Sequence, residues 1–103
     1  MNLYKEVEEI IIRHPKVMRA AVVGMPDARL GERVCAYVQP VPGESLSFEE
    51  IDAFLKAEGA SVMVLPERVE VLDEFPVTAM DKTDKESLRK HIAGKIEVEG
   101  KGS

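Results

Sequence analysis

The run from Phe75 to Arg89 constrains the layout of this chain more than any other stretch. Pro76 fixes one backbone dihedral and removes an amide donor, so a strand ends there. Within the next ten residues a helix begins. Thr83 or Asp84 can cap its free amides, and Thr83 and Glu86 stand at capping-box spacing. Leu88 and Ile92, one turn apart, supply a face that a core can bury. Between strand end and helix start lies a short polar turn carrying Lys82. A lysine at the tip of such a turn is either a solvated surface group or a cation aimed at something outside the domain.

The rest of the chain supplies a scaffold for that turn. Val7, Ile10 and Ile11 have helical spacing, which predicts a first helix from about Tyr4 to Arg13. Pro15 stops it by driving His14 out of helical geometry, so His14 is expected as a surface or capping group. Val17 to Met25 reads as a buried strand, and Glu32 to Gln39 as a second. In the second, Val34, Ala36 and Val38 face one way and Cys35 and Tyr37 the other. The polar segment Pro26 to Gly31 between them predicts antiparallel neighbours.

Ser47 and Glu50 form a capping box for a helix whose apolar stripe is Phe48, Ile51, Phe54 and Leu55, ended by Gly59. Val69 and Val71, with Leu72, mark a third short strand running into Phe75-Pro76. The order helix, strand, strand, helix, strand, helix predicts an α+β two-layer sandwich, a small three-stranded sheet packed with helices. The expected domain covers residues 1–95, with 96–103 as a flexible tail. Because the first helix starts almost at Met1, the chain reads as a fragment of a longer protein.

Charge and motif content narrow the function. Nineteen acidic residues against 14 Lys and Arg give a net charge of −5, which disfavours a nucleic-acid footprint. The single Cys35 and two distant histidines, His14 and His91, argue against a disulfide or a metal site. Cys35 lies mid-strand with no cation or base beside it in sequence, as a small apolar group rather than a nucleophile. No apolar run reaches the ~18–20 residues of a membrane span, and no signal-peptide pattern opens the chain, so a cytoplasmic setting is expected. Gly-rich phosphate loops and Ser-His-Asp motifs are absent from the sequence, so the chain carries no self-contained active site.

The remaining pattern resembles the last motif of the adenylate-forming superfamily: Pro76-x-Thr78-x-x-x-Lys82-x-Asp84-Lys85-x-x-Leu88-Arg89. Further likeness lies, in order, in Val7-Glu8, His14-Pro15-x-Val17, Ala20 to Gly24, Pro26-Asp27, Gly31-Glu32, Leu65-Pro66 and Val69-Glu70. That superfamily includes acyl-CoA synthetases, aryl-acid–AMP ligases, luciferases and nonribosomal peptide adenylation domains. The resemblance implies the small carboxy-terminal lid of such an enzyme, inactive without its own large amino-terminal adenylation domain. Lys82 matches the catalytic lysine that bridges the substrate carboxylate and the α-phosphate of ATP. It further implies ATP, Mg²⁺ and coenzyme A, bound mainly by the absent domain, and a lid that rotates before thioester formation with coenzyme A or a carrier-protein pantetheine. Its acid substrate, fatty or aryl, is set by that domain.

Two positions depart from the pattern. Asp81 stands where the family usually has glycine before the lysine, and Met63-Val64 where an aromatic-lysine pair often precedes Leu-Pro. An Asp81 carboxylate ~6 Å from the ammonium would attract it by on the order of 3 kcal/mol at an effective dielectric of ~20. The competing reading of the whole chain is a non-catalytic α+β binding or regulatory module in which Lys82 is a surface lysine.

Overall fold

A computed structural model describes residues 3–27, 31–62 and 65–101. The elements are α1 (Leu3–Ile11), β1 (Val17–Asp27), β2 (Gly31–Pro40), α2 (Phe48–Ala57), β3 (Arg68–Val71) and α3 (Lys85–Lys101). The class is the expected α+β, a three-stranded sheet packed with helices, but the helices divide between its two faces, so there are three layers where two were expected. The sheet runs in the order β1-β2-β3. β1 and β2 pair antiparallel from Val17↔Pro40 to Asp27↔Gly31, as their sequence separation requires. β3 joins β2 in parallel, Cys35↔Arg68 to Val38↔Val71, which the α2 crossover makes possible. The tip of the first hairpin, 28–30, and the Met63-Val64 departure lie outside the described residues.

Helices cover both faces because both faces of β2 are apolar. On one side Val7, Ile10 and Ile11 of α1 and Ile51 and Leu55 of α2 pack against Val22, Ala36 and Val38. On the other, Leu88 and Ile92 of α3 and Phe75 pack against Ala21, Val23, Met25, Cys35 and Tyr37. The alternation read from β2 thus divides between two cores. A fully buried Leu or Ile contributes roughly 1.5–3 kcal/mol, so each helix is held mainly by two or three such side chains.

Local chemistry sets the helix ends. Ser47 accepts from the Glu50 amide at 3.2 Å, one arm of the expected capping box. The Glu50 carboxylate is taken by Lys16 at 3.1 Å. Gly59, at φ +81°, lets the chain leave α2 through a conformation that a Cβ disfavours. Phe48 lies at the rim of its helix, 40% exposed, whereas Phe54 packs on the core beside His14. His14 Nδ1 accepts the Lys16 amide at 3.1 Å and so closes the turn after α1.

The end of the chain corrects one boundary. A tail was expected from residue 96, yet α3 continues to Lys101. Tertiary contacts hold this segment: Ile96 packs against the second core, and Arg68 of β3 donates to both Glu99 oxygens. Gly102 and Ser103 lie outside the described residues.

Candidate functional site: an anchored lysine hairpin

Residues 76–84 form a tight hairpin whose geometry follows from its hydrogen bonds. The Asp84 amide donates to the Pro76 carbonyl (2.8 Å), and the Thr78 amide to the Lys82 carbonyl (2.7 Å). The Asp81 amide donates back to the Thr78 carbonyl at 2.9 Å, closing a four-residue turn. Val77 and Thr83 pair as an antiparallel bridge. Three loop residues, Ala79, Met80 and Asp81, therefore connect Thr78 to Lys82. Such loops pair a type I turn with a following left-handed residue. Asp81 is that residue, at φ +59°, and among the described residues no other non-glycine has positive φ. Glycine takes this position without steric cost; Asp tolerates it better than most L-residues.

Both legs of the hairpin root in one core. Phe75 enters from the strand side at 4% exposure, and Leu88 and Ile92 leave on the helix side at 1% and 0%. The helix starts from Asp84 rather than Thr83: Asp84 accepts from the Ser87 amide (3.2 Å) and the Ser87 hydroxyl (2.9 Å). These hydrogen bonds from Ser87 hold the Asp84 carboxyl below its usual range. Thr83 is instead used by the Val77 bridge, so the sequence offered two caps and the hairpin pairing chose between them. Lys85 pairs with Glu8 at 2.8 Å, and the same Glu8 oxygen accepts the Val22 amide at 3.0 Å. The start of α3 is thereby tied to α1 and to the free edge of the sheet.

Lys82 is exposed on this frame. Among the described residues its ammonium has no hydrogen-bond or ion-pair partner. Its backbone is fixed on both sides while its charged end is free to meet a ligand or another domain. Beside it opens a shallow groove of about 210 Å³ lined by Met18, Arg19, Gln39, Glu74, Phe75, Val77 and Asp81. Of its lining, Met18 and Val77 leave 44% and 45% of their surface in solvent. Sequence reasoning singled out Lys82 and Asp81 but missed Arg19, which is 62 residues upstream of Asp81 and meets it only through the fold.

Other titratable groups do not assemble a second centre. Burial pushes the Cys35 thiol up to about 12, so it stays a protonated apolar group in the sheet. The fully buried Tyr37 places its hydroxyl 2.7 Å from His91 Nδ1 and 3.3 Å from the Leu88 carbonyl, which locks α3 to β2. Among the described residues no group of three or more His, Cys, Asp and Glu side chains could hold a metal ion. Within them, no helix is long and apolar enough to cross a membrane.

Comparison with known proteins matches this architecture throughout. A family model described as the AMP-binding enzyme C-terminal domain covers residues 6–82. The chain is 45% identical over 93 residues to a salicylyl-CoA synthase / salicylate adenylyltransferase of a Streptomyces species, covering 90% of this chain and 17% of that protein. It is 43% identical over 93 residues to the medium-chain fatty-acid–CoA ligase of Escherichia coli K12, covering 89% of this chain and 16% of the ligase. The crystal structure of Brucella canis acyl-CoA synthetase superposes with a TM-score of 0.80 at 32% identity, over 89% of this chain and 17% of that one. The chain thus spans about a sixth of the length of the proteins it matches. With that model running from within α1 to Lys82, the chain belongs to the AMP-binding enzyme C-terminal domain family, the carboxy-terminal domain of adenylate-forming ligases.

Proposed function

We propose that this domain is the mobile lid of an ATP-dependent carboxylic acid–CoA ligase, and that Lys82 is its catalytic lysine for acyl-adenylate formation. The observation that carries the proposal is the exposed ammonium, without a partner among the described residues, on a hairpin anchored at both ends in one core. In the first half-reaction a carboxylate oxygen attacks the α-phosphorus of ATP, a P–O bond forms, and the bond to pyrophosphate breaks. Both reactants are anionic, so their approach is opposed by charge. A compact cation with rotatable donors holds the two oxygens together and stabilises the charge that builds in the transition state. The large adenylation domain preceding the lid binds ATP with its Mg²⁺ and the acid. Closure of the lid completes the site, and its rotation then withdraws Lys82 so that coenzyme A or a carrier-protein pantetheine can attack the adenylate carbonyl.

The free lid is inactive in this account, since Lys82 has nothing to bridge. A cytoplasmic setting, where ATP and coenzyme A are at hand, goes with it. The relatives' names include both aryl-acid and fatty-acid ligases, so the acid class is set outside this domain. Acid-dependent ATP–pyrophosphate exchange by the intact enzyme, across aryl and fatty acids of graded length, tests the reading. Exchange confined to one class is expected; no exchange with any carboxylic acid would overturn it.

A further inference from the structure

The groove beside Lys82 holds a second cation that the proposed reaction does not yet use. Arg19 lies at the start of β1, where the pairing with β2 slips between Val17 and Arg19. Such a slip inserts an extra residue and re-aims the side chains around it. Met18 and Arg19 both line the groove, and Arg19 keeps the alternation that places Ala21 and Val23 on the face covered by Phe75 and α3. Glu74 and Asp81 line the same groove. None of the three charged side chains has a hydrogen-bond or ion-pair partner among the described residues.

The charges make sense together. Asp81 places an anion next to Lys82, at the left-handed turn position that a glycine would fill without charge. With Glu74 it would confront an incoming triphosphate with two negative groups beside one lysine. Arg19, in the same groove, supplies the opposite charge. We propose that Arg19 is a positioning residue whose charge offsets the Asp81 carboxylate within the groove, leaving the Lys82 ammonium available to ATP. The inference rests on the reading of Lys82 given above.

Arg19 is exposed, so its replacement tests charge rather than folding. In the intact enzyme, Arg19→Gln is expected to raise KM for ATP in pyrophosphate exchange about three- to fivefold, the size of one through-space charge effect near a wet surface. The loss shrinks in high salt, and Arg19→Lys, which keeps the charge, recovers most of it. In an Asp81→Gly background the same Arg19→Gln change costs less than about twofold, because the anion it offsets is gone. Equal losses in both backgrounds, or no loss in either, would overturn the inference. Lys82→Ala, assayed in parallel, separates the two claims: exchange that survives it refutes the role of Lys82 itself. Exchange abolished by it, with Arg19 and Asp81 uncoupled, refutes only the part given to Arg19.

Discussion

Replacing Asp81 by glycine should stabilise the isolated domain, and the size of the gain follows from one dihedral. Asp81 sits at φ +59°, in the left-handed region. An L-residue there pays roughly 1–2 kcal/mol, with Asp paying less because its short polar side chain finds local hydrogen bonds. Glycine removes that steric cost but loses more backbone freedom on folding, about 0.5–1 kcal/mol. The net gain for Asp81→Gly is therefore about 0.5 kcal/mol. In a domain of this size that raises the thermal midpoint by about 2–4 °C. Asp81→Ala supplies the control, since alanine carries the Cβ that glycine lacks and tolerates the left-handed region less well than Asp. It should fall below the parent and about 1 kcal/mol below Asp81→Gly. Thermal unfolding followed by circular dichroism ranks the three variants. An alanine variant as stable as the glycine variant would show that left-handed strain at this turn is not what separates them.

Two further outcomes check the frame around the hairpin. Leu88→Ala empties a site that is 1% exposed and should cost about 2–5 kcal/mol in denaturant unfolding; a loss below about 1 kcal/mol would mean that α3 is not held through this core. Acid should weaken the β3–α3 clasp. Burial raises the Glu70 carboxyl, but hydrogen bonds from Lys95 and Arg68 outweigh it and hold it below its usual range. A folded-state value below the unfolded one gives stability that is present above about pH 4.3 and is lost as the pH falls through the folded value. Glu70→Gln should therefore destabilise the domain near neutrality and flatten the fall in stability below about pH 4, as read from denaturant midpoints across pH.

Much of this fold is legible because it is local. The Ser47 cap and the two-sided alternation of β2 each depend on residues a few positions apart, and each appears where its pattern places it, whereas α1 ends at Ile11, two residues before the Arg13 expected from Pro15. Leu88 and Ile92 were readable for the same reason. What the sequence hid depends on partners brought from far away. Helix α3 outlasts its weak apolar pattern because Arg68, on another element, reaches Glu99. The choice of Asp84 over Thr83 as cap was made by the Val77 bridge. Lys82 could be singled out from its turn, and Asp81 from the glycine it displaces. Arg19 could not, because it stands 62 residues upstream of Asp81 and only the fold brings it to the same groove.

The central claim is that one ammonium serves the first half-reaction and is dispensable for the second. Both halves can be timed in the intact enzyme carrying Lys82→Ala, once by pyrophosphate exchange and once by thioester formation from a supplied acyl-adenylate. The account predicts that exchange is lost by at least about 100-fold, the scale of one transition-state contact, while the thioester rate stays near that of the parent. Undiminished exchange, or an equal loss in both steps, would contradict it.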